Sequence, residues 1–245
     1  MQINEQLINN FIKSADWEAV WNNNNFSQED TEAIEKNLDY DVFDWNCGAT
    51  KMVIIPKDSN EKYVIKIPFM YLYNDYEDDD DDECYYYHEF QNAPRPKDGM
   101  IGSTFYRTDW DYCETEIEYC ELAAAANISE FFPETIKYCD MPYPIYLQEL
   151  CIPANKKLHT TSSYDRDSIS EQIKSKSSAA IARWCYHFNV AWLQNVINWY
   201  GIEKLIQLFT FMEHYKMSDF HSENYGYRES DGSPVLIDFA GFYEG

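Results

Sequence analysis

Residues 217–227 read MSDFHSENYGY, residues 229–233 read ESDGS, and residues 234–240 read PVLIDFA. A polar loop leads into a short β-prone run. A turn rich in Ser, Asp and Gly follows, and after it comes an apolar run that leads to Asp238. Two β-prone runs joined by such a turn predict a hairpin. An aspartate that follows Val-Leu-Ile is costly to bury without a cation or a strong partner. We therefore expect a polar site where this hairpin ends.

Asp219, Asn224 and Asp238 carry the oxygen atoms that phosphoryl transfer requires. Carboxylate and amide oxygens hold Mg²⁺, and a carboxylate near the acceptor hydroxyl orients it. Simpler interpretations remain, because Asp219 and Asn224 could be turn or helix-capping residues and Asp238 could simply end a strand. We interpret His221 as a structural hydrogen-bonding residue rather than a base.

The preceding sequence predicts a small antiparallel sheet and several helices. The β-prone runs at residues 52–55 and 63–67 flank a turn-rich link, which predicts a hairpin. Two further β-prone runs follow a helix-like segment. The other predicted elements are a helix at 5–13, a helix at 114–127, strands at 135–138 and 144–150, and helices at 178–199 and 202–216. In the helix at 178–199, an apolar stripe indicates a core-facing side.

The spacing Asp219-x-x-x-x-Asn224, followed by Asp238-Phe239-Ala240, resembles the H-R-D-x-x-x-x-N and D-F-G elements of protein kinases. Upstream, Tyr63-Val64-Ile65-Lys66 resembles the V-A-I-K strand, and the order along the chain agrees. Within this superfamily, the chain is most similar to small bacteriophage serine/threonine kinases. The resemblance covers roughly residues 45–70 and 114–242.

This resemblance implies an α+β, protein-kinase-like two-lobe fold, with an antiparallel N-lobe sheet and an abbreviated, mainly helical C-lobe. The expected division is a helical N-terminal extension at residues 1–40, an N-lobe at 41–150 and a truncated C-lobe at 151–245. An acidic insertion is expected at about 74–110 and is interpreted as a solvated loop. Because only five residues follow Ala240, we expect no activation segment and no later C-lobe helices.

By the same resemblance, Asp219 would orient or deprotonate the acceptor hydroxyl. Asn224 and Asp238 would hold Mg²⁺, and Lys66 would contact the α- and β-phosphates of ATP. The expected reaction is transfer of the γ-phosphoryl group of ATP to Ser, Thr or Tyr hydroxyls of protein targets, with autophosphorylation as one form of it. A small-molecule kinase or a nucleotidyl transferase on the same scaffold stays open.

The helical partner of Lys66 would be Glu114, Glu116 or Glu118. We prefer Glu118, because Leu122 one turn later could pack inward. Two further elements are implied around the nucleotide. Backbone groups of Glu149 and Cys151 would contact adenine, and Gly48-Ala49-Thr50 would be the remainder of a glycine-rich loop over the phosphates.

Composition limits the partners. The 43 acidic and 19 basic residues give a formal net charge of −24, which disfavours nucleic acid and anionic lipid and favours protein partners with basic surfaces. An inactive, acidic pseudokinase or decoy that binds and inhibits a host protein is therefore the alternative function. The seven cysteines form no CxxC pair, which indicates reduced thiols. No apolar run is long enough for a bilayer, and we expect a cytoplasmic protein, in a bacterial host if phage-encoded.

Overall fold

The computed structural model describes residues 1–22, 31–48, 51–68, 112–156, 165–217 and 220–239. These residues form an α+β protein with a five-stranded antiparallel sheet, a three-stranded sheet and several helices. The chain divides into two compact units. Unit 1 holds the described residues within Met1–Lys97 and Ile101–Ile117, together with Thr135–Glu149. Unit 2 holds Glu118–Glu134 and the described residues from Leu150 onward.

The five-stranded sheet belongs to unit 1 and is antiparallel throughout, in the order β1-β2-β3-β5-β4. Its strands are β1 (Phe43–Cys47), β2 (Lys51–Pro56), β3 (Tyr63–Pro68), β4 (Thr135–Cys139) and β5 (Ile145–Glu149). All six residues of β3 are buried, as expected for the middle strand of a covered sheet. The predicted hairpin of β2 and β3 and the two later strands are thus confirmed.

The N-terminal helices α1 (Glu5–Ser14), α2 (Trp17–Asn22) and α3 (Glu32–Glu35) also belong to unit 1. The Asn4 side chain caps α1 by accepting a hydrogen bond from the Leu7 amide. Phe11 of α1 lies edge-on to Phe43 of β1, with ring centroids 5.7 Å apart. Trp17 stacks on Tyr143, which precedes β5, at 5.6 Å. These aromatic contacts join the helices to the sheet.

Helix α4 (Tyr112–Ala125) follows β3 in the described chain and contributes residues to both units. In unit 2, strands β6 (Cys151–Pro153), β7 (Tyr225–Arg228) and β8 (Pro234–Leu236) form the second sheet, with β7 in the middle. The helices of this unit are α5 (Arg166–Lys176), α6 (Ala179–Arg183), α7 (Val190–Tyr200) and α8 (Ile202–His214). The β7–β8 pair confirms the hairpin predicted from the C-terminal stretch.

The prediction of one continuous helix at residues 178–199 is wrong. α6 ends at Arg183, a 3₁₀ helix covers Trp184–His187, and α7 begins at Val190. Phe188 is extended, with φ −117° and ψ 154°, and the Asn189 side chain caps α7 by accepting from the Ala191 amide at 2.8 Å. The extended residue places the Phe188 ring between Trp192 and Phe209, with centroid distances of 4.7 and 5.7 Å.

The six cysteines in the described ranges carry thiols rather than disulfides. Burial raises the pKa of the Cys185 thiol to about 11, so this side chain behaves as a small apolar group of the core. Among the helices that the structure describes, none has the length and apolar composition needed to cross a bilayer. The predicted insertion at about 74–110 lies outside the described residues.

Candidate functional site

Lys66 occupies the middle strand of the unit 1 sheet and is almost completely buried, with 3% of its surface exposed. A buried ammonium group requires a charged partner, because its transfer from water is otherwise strongly unfavourable. Glu116 of α4, which is 0% exposed, is that partner. The Lys66 Nζ atom donates to Glu116 Oε1 at 2.9 Å and to Oε2 at 2.7 Å. The two side chains therefore form a bidentate buried ion pair.

The preference for Glu118 as the partner of Lys66 is wrong. Glu118 is exposed, whereas Glu116 lies on the buried side of α4 with Tyr119 and Ala123. Residues two positions apart on an α-helix lie on nearly opposite faces, since each residue rotates the helix by about 100°. The structure thus selects Glu116 from the three alternatives that the sequence left open.

A second lysine, which the sequence analysis did not identify, reaches the same carboxylate. Lys51, the first residue of β2, is 2% exposed and donates to Glu116 Oε1 at 2.8 Å. Strand register explains the convergence: Val53 lies opposite Lys66, so Lys51, two residues before Val53, shares the face of the sheet with Lys66. The alternation of side chains between the two faces of the β2–β3 hairpin was the sequence signal that could have revealed Lys51.

The other oxygen of Glu116 is contacted by β5. Gln148 Nε2 donates to Glu116 Oε2 at 3.3 Å and to Thr135 Oγ1 of β4 at 3.0 Å. Gln148 is buried and lies opposite Val64, two residues from Lys66, so its side chain projects from the lysine face. We call Lys51, Lys66, Glu116 and Gln148 the lysine cluster. Its hydrogen bonds join three neighbouring strands to one helix.

In unit 2, the β7–β8 hairpin places Asn224 beside Asp238. Tyr225 at the start of β7 pairs with Leu236 at the end of β8, so the flanking residues come together. The Asn224 carbonyl accepts from the Ile237 amide at 2.8 Å and from the Asp238 amide at 3.2 Å. Asn224 is 9% exposed, and Asp238 is partly exposed. Backbone hydrogen bonds therefore fix these two residues next to each other.

Buried aromatic residues hold the Asn224–Asp238 pair in place. Phe239 is 1% exposed and meets Phe132 edge-on, with centroids 4.9 Å apart and an interplanar angle of 89°. At the start of β7, the Tyr225 hydroxyl accepts a hydrogen bond from the Asn189 amide. Burial raises the pKa of Tyr225, so this phenol stays protonated at neutral pH.

The remaining predicted site residues are placed as follows. Gly48 is exposed at the end of β1, where its amide donates to the Lys51 carbonyl at 3.0 Å, while Ala49 and Thr50 lie outside the described residues. Glu149 is the last residue of β5, and Cys151 is the first residue of β6. The division between the two units falls after Glu149.

Asp219 lies outside the described residues, which continue on either side with Met217 and Phe220. Met217 is buried in the core of unit 2, and Phe220 lies edge-on to Trp184 at 5.6 Å. His221 is exposed; its carbonyl accepts from the Asn224 amide at 2.9 Å, and its Nδ1 atom accepts from the Glu223 amide at 3.4 Å. These contacts belong to the turn that precedes β7.

A metal ion beside Asn224 and Asp238 would need further ligands, because these two residues carry only one side-chain amide oxygen and one carboxylate. In the part of the chain that the structure describes, no group of three His, Cys, Asp or Glu side chains could hold a metal ion. Asn224 and Asp238 offer one amide oxygen and one carboxylate. Mg²⁺ in phosphate-binding sites commonly takes one or two carboxylates and completes its octahedron with water and substrate oxygens.

Comparison of the chain with protein-family models, with curated proteins and with solved structures finds no match.

Proposed function

We propose that this protein is an ATP- and Mg²⁺-dependent phosphotransferase with a protein-kinase-like fold, which acts on hydroxyl groups of protein targets. The observation that carries the proposal is the buried ion pair between Lys66 on β3 and Glu116 on α4. In protein kinases, a lysine on the third strand pairs with a glutamate on the following helix and contacts the ATP phosphates. A buried ion pair of this kind is seldom explained by stability alone, because the cost of removing both charges from water offsets much of the attraction between them.

The order of elements supports the same function. The lysine strand, the glutamate helix and two further strands follow one another in unit 1, and the Asn224–Asp238 pair comes from the hairpin in unit 2. A protein-kinase-like fold requires this order along the chain. A structural ion pair in an unrelated α+β fold would not require a downstream Asn and Asp at kinase-like spacing.

The residues take the following roles in this proposal. Lys66, oriented by Glu116, binds phosphate oxygens of ATP, and the backbone of Glu149 and Cys151 binds adenine. Asn224 and Asp238 hold Mg²⁺, which neutralises charge on the phosphates when bound. Asp219 accepts the proton of the attacking hydroxyl.

The test is incubation of the full chain with γ-labelled ATP and Mg²⁺, alone and with a cell lysate. Lys66→Met, Asp219→Ala and Asp238→Asn are each expected to reduce label transfer by at least about 100-fold, as loss of a positioning or electrostatic group does. Asp231→Asn is the matched control for Asp238→Asn: Asp231 lies in the same hairpin, is exposed, and accepts a hydrogen bond that Asn can also accept. Equal transfer by Asp238→Asn and Asp231→Asn would refute the proposed metal role.

A second function, an inactive acidic binding protein that occupies a basic host factor, is favoured by the net charge of −24. Thermal unfolding with and without ATP and Mg²⁺ separates the two functions. The phosphotransferase is expected to gain about 2.7 kcal/mol at an ATP concentration 100 times the dissociation constant, and to lose that gain with Asp238→Asn. The unfolding free energy of an inactive binding protein would change neither with ATP and Mg²⁺ nor with Asp238→Asn.

A further inference from the structure

Gln148 of β5 contacts Glu116 but has no role in the proposed function. It is 1% exposed, and its side-chain nitrogen has two acceptors. Gln148 Nε2 donates to Glu116 Oε2 at 3.3 Å and to Thr135 Oγ1 at 3.0 Å. Because an ionised carboxylate can only accept hydrogen bonds, the amide nitrogen and not the amide oxygen must face Glu116. Both N–H groups of this amide are therefore directed at defined partners.

The Glu116 carboxylate receives two hydrogen bonds on each of its oxygen atoms. Oε1 accepts from Lys51 at 2.8 Å and from Lys66 at 2.9 Å. Oε2 accepts from Lys66 at 2.7 Å and from Gln148 at 3.3 Å. Rotation about the last bond of a glutamate side chain is soft, because that torsion has broad minima. Lys51 holds one oxygen and Gln148 holds the other, so together they fix the plane of the carboxylate.

A carboxylate with a fixed plane in turn fixes the direction of the Lys66 ammonium group. Lys66 Nζ donates to both oxygens of Glu116. An ammonium group has three N–H donors, so the direction of the third is set once the other two are engaged. We propose that Gln148 is a positioning residue, which holds Glu116 so that the third N–H of Lys66 is aimed at a phosphate oxygen of the nucleotide. The inference rests on the proposed phosphate-binding role of Lys66.

The alternative is that Gln148 only ties α4 to β4 and β5. A residue with that role would contribute to the stability of unit 1, and its loss would affect all ligands of the protein alike. A positioning residue acts on the ligand through Lys66 alone. Its loss should therefore weaken the binding of a nucleotide with phosphates and spare the binding of a nucleoside without them.

The experiment compares the full chain with two variants of β5. Gln148→Met keeps the length of the side chain and removes both N–H donors. Leu147→Val is the matched control, because Leu147 is 0% exposed and projects from the opposite face of the same strand. It destabilises unit 1 without reaching Glu116. Calorimetry with Mg²⁺ present gives the dissociation constants of ATP and adenosine, and crystal structures of the unliganded proteins give the distances between Lys66 and Glu116.

Gln148→Met is expected to weaken ATP binding about tenfold and to leave adenosine within about twofold, because one hydrogen bond to a charged group contributes about that much. In its crystal structure, Lys66 Nζ should contact one oxygen of Glu116 instead of two. Leu147→Val should keep both contacts and bind both ligands within about twofold of the wild type. If Gln148→Met does not fold, Gln148→Asn replaces it, since asparagine keeps the amide but withdraws it from Glu116 by one methylene group.

Equal losses for ATP and adenosine, or no loss for either, would overturn the positioning role of Gln148 and leave the proposed function standing. Retention of both contacts between Lys66 and Glu116 in the variant would overturn that role as well. A wild type that binds ATP no more tightly than adenosine would refute the phosphate-binding role of Lys66, and both proposals would then fail.

Discussion

Glu116 is the residue on which the unit 1 site depends. Its carboxylate is inaccessible to water and accepts hydrogen bonds from two lysines and from Gln148. Without it, the two ammonium groups would be buried with no carboxylate from α4 between them. The arrangement therefore links the stability of unit 1 to the geometry of the proposed phosphate-binding group.

Replacement of Glu116 tests this dependence. Glu116→Ala is expected to lower the free energy of unfolding by about 3–5 kcal/mol, because removing one partner of a buried ion pair leaves uncompensated charge. Glu121→Ala removes the same group from an exposed position of the same helix and should change stability by no more than about 0.5 kcal/mol. Urea unfolding followed by circular dichroism measures both. Equal stability of the two variants would contradict the central position of Glu116.

The sequence predicted that Lys66 would pair with a glutamate of the following helix, but it could not identify which one. The buried face of α4 carries polar residues, Thr115 and Glu116, among Tyr119 and Ala123, so apolar periodicity does not mark it. Lys51 escaped prediction for a related reason. Its burial follows from the register of β2 against β3, and a lysine beside a turn is ordinarily an exposed residue.

Among the elements, strands and hairpins were the most predictable, because alternation and turn composition are local properties of the sequence. The break between α6 and α7 was not, because it depends on contacts that are distant in sequence. The extended Phe188 stacks against Phe209 and lies edge-on to Tyr225, 4.9 Å away, and the Tyr225 hydroxyl accepts from the Asn189 amide. Tertiary packing here overrides a helical pattern that would otherwise continue.

The β6–β7 pair depends on a glycine. A Cβ atom on Gly226 would lie 2.0 Å from the Ile152 carbonyl oxygen, and that oxygen belongs to backbone, which cannot move aside as a flexible side chain can. The Gly226 carbonyl also accepts from the Trp192 indole at 2.9 Å, which ties the strand to α7. The close approach of β6 and β7 therefore requires a residue without a side chain at position 226.

Gly226→Ala is therefore expected to reduce the free energy of unfolding by about 3 kcal/mol, the upper end of the range for overpacked sites. Gly48→Ala is the control, since among the described residues its added Cβ would meet the Lys51 carbonyl oxygen alone, at 3.8 Å, an ordinary contact. That change should be neutral or slightly stabilising, because alanine restricts the unfolded chain. Denaturant unfolding of the two variants gives the comparison, and a Gly226→Ala protein as stable as the wild type would exclude the steric requirement.

At the scale of the whole molecule, the chain divides into two compact units and carries a large negative net charge. The unit boundary after Glu149 separates the end of β5 from β6, whose register with β7 pairs Cys151 with Arg228. The 43 acidic residues far outnumber the 19 basic ones, so the electrostatic potential at the protein surface is strongly negative. Such a field attracts partners by their charge without selecting a particular one.

The charge makes a prediction about substrates if the protein is the proposed phosphotransferase. A basic protein substrate should be captured electrostatically, so raising the salt concentration from about 0.05 to about 0.5 M should increase its KM about tenfold, because ions screen exposed charges. Its kcat should change little, since the buried lysine cluster is screened far less than the surface.

The control is the same substrate after lysine acetylation, which removes positive charge while leaving the acceptor hydroxyls in place. Its KM should be high at low salt and nearly independent of salt. Steady-state phosphorylation at several salt concentrations measures both forms. Identical KM values for the acetylated and unmodified substrates would mean that the acidic surface serves something other than substrate capture.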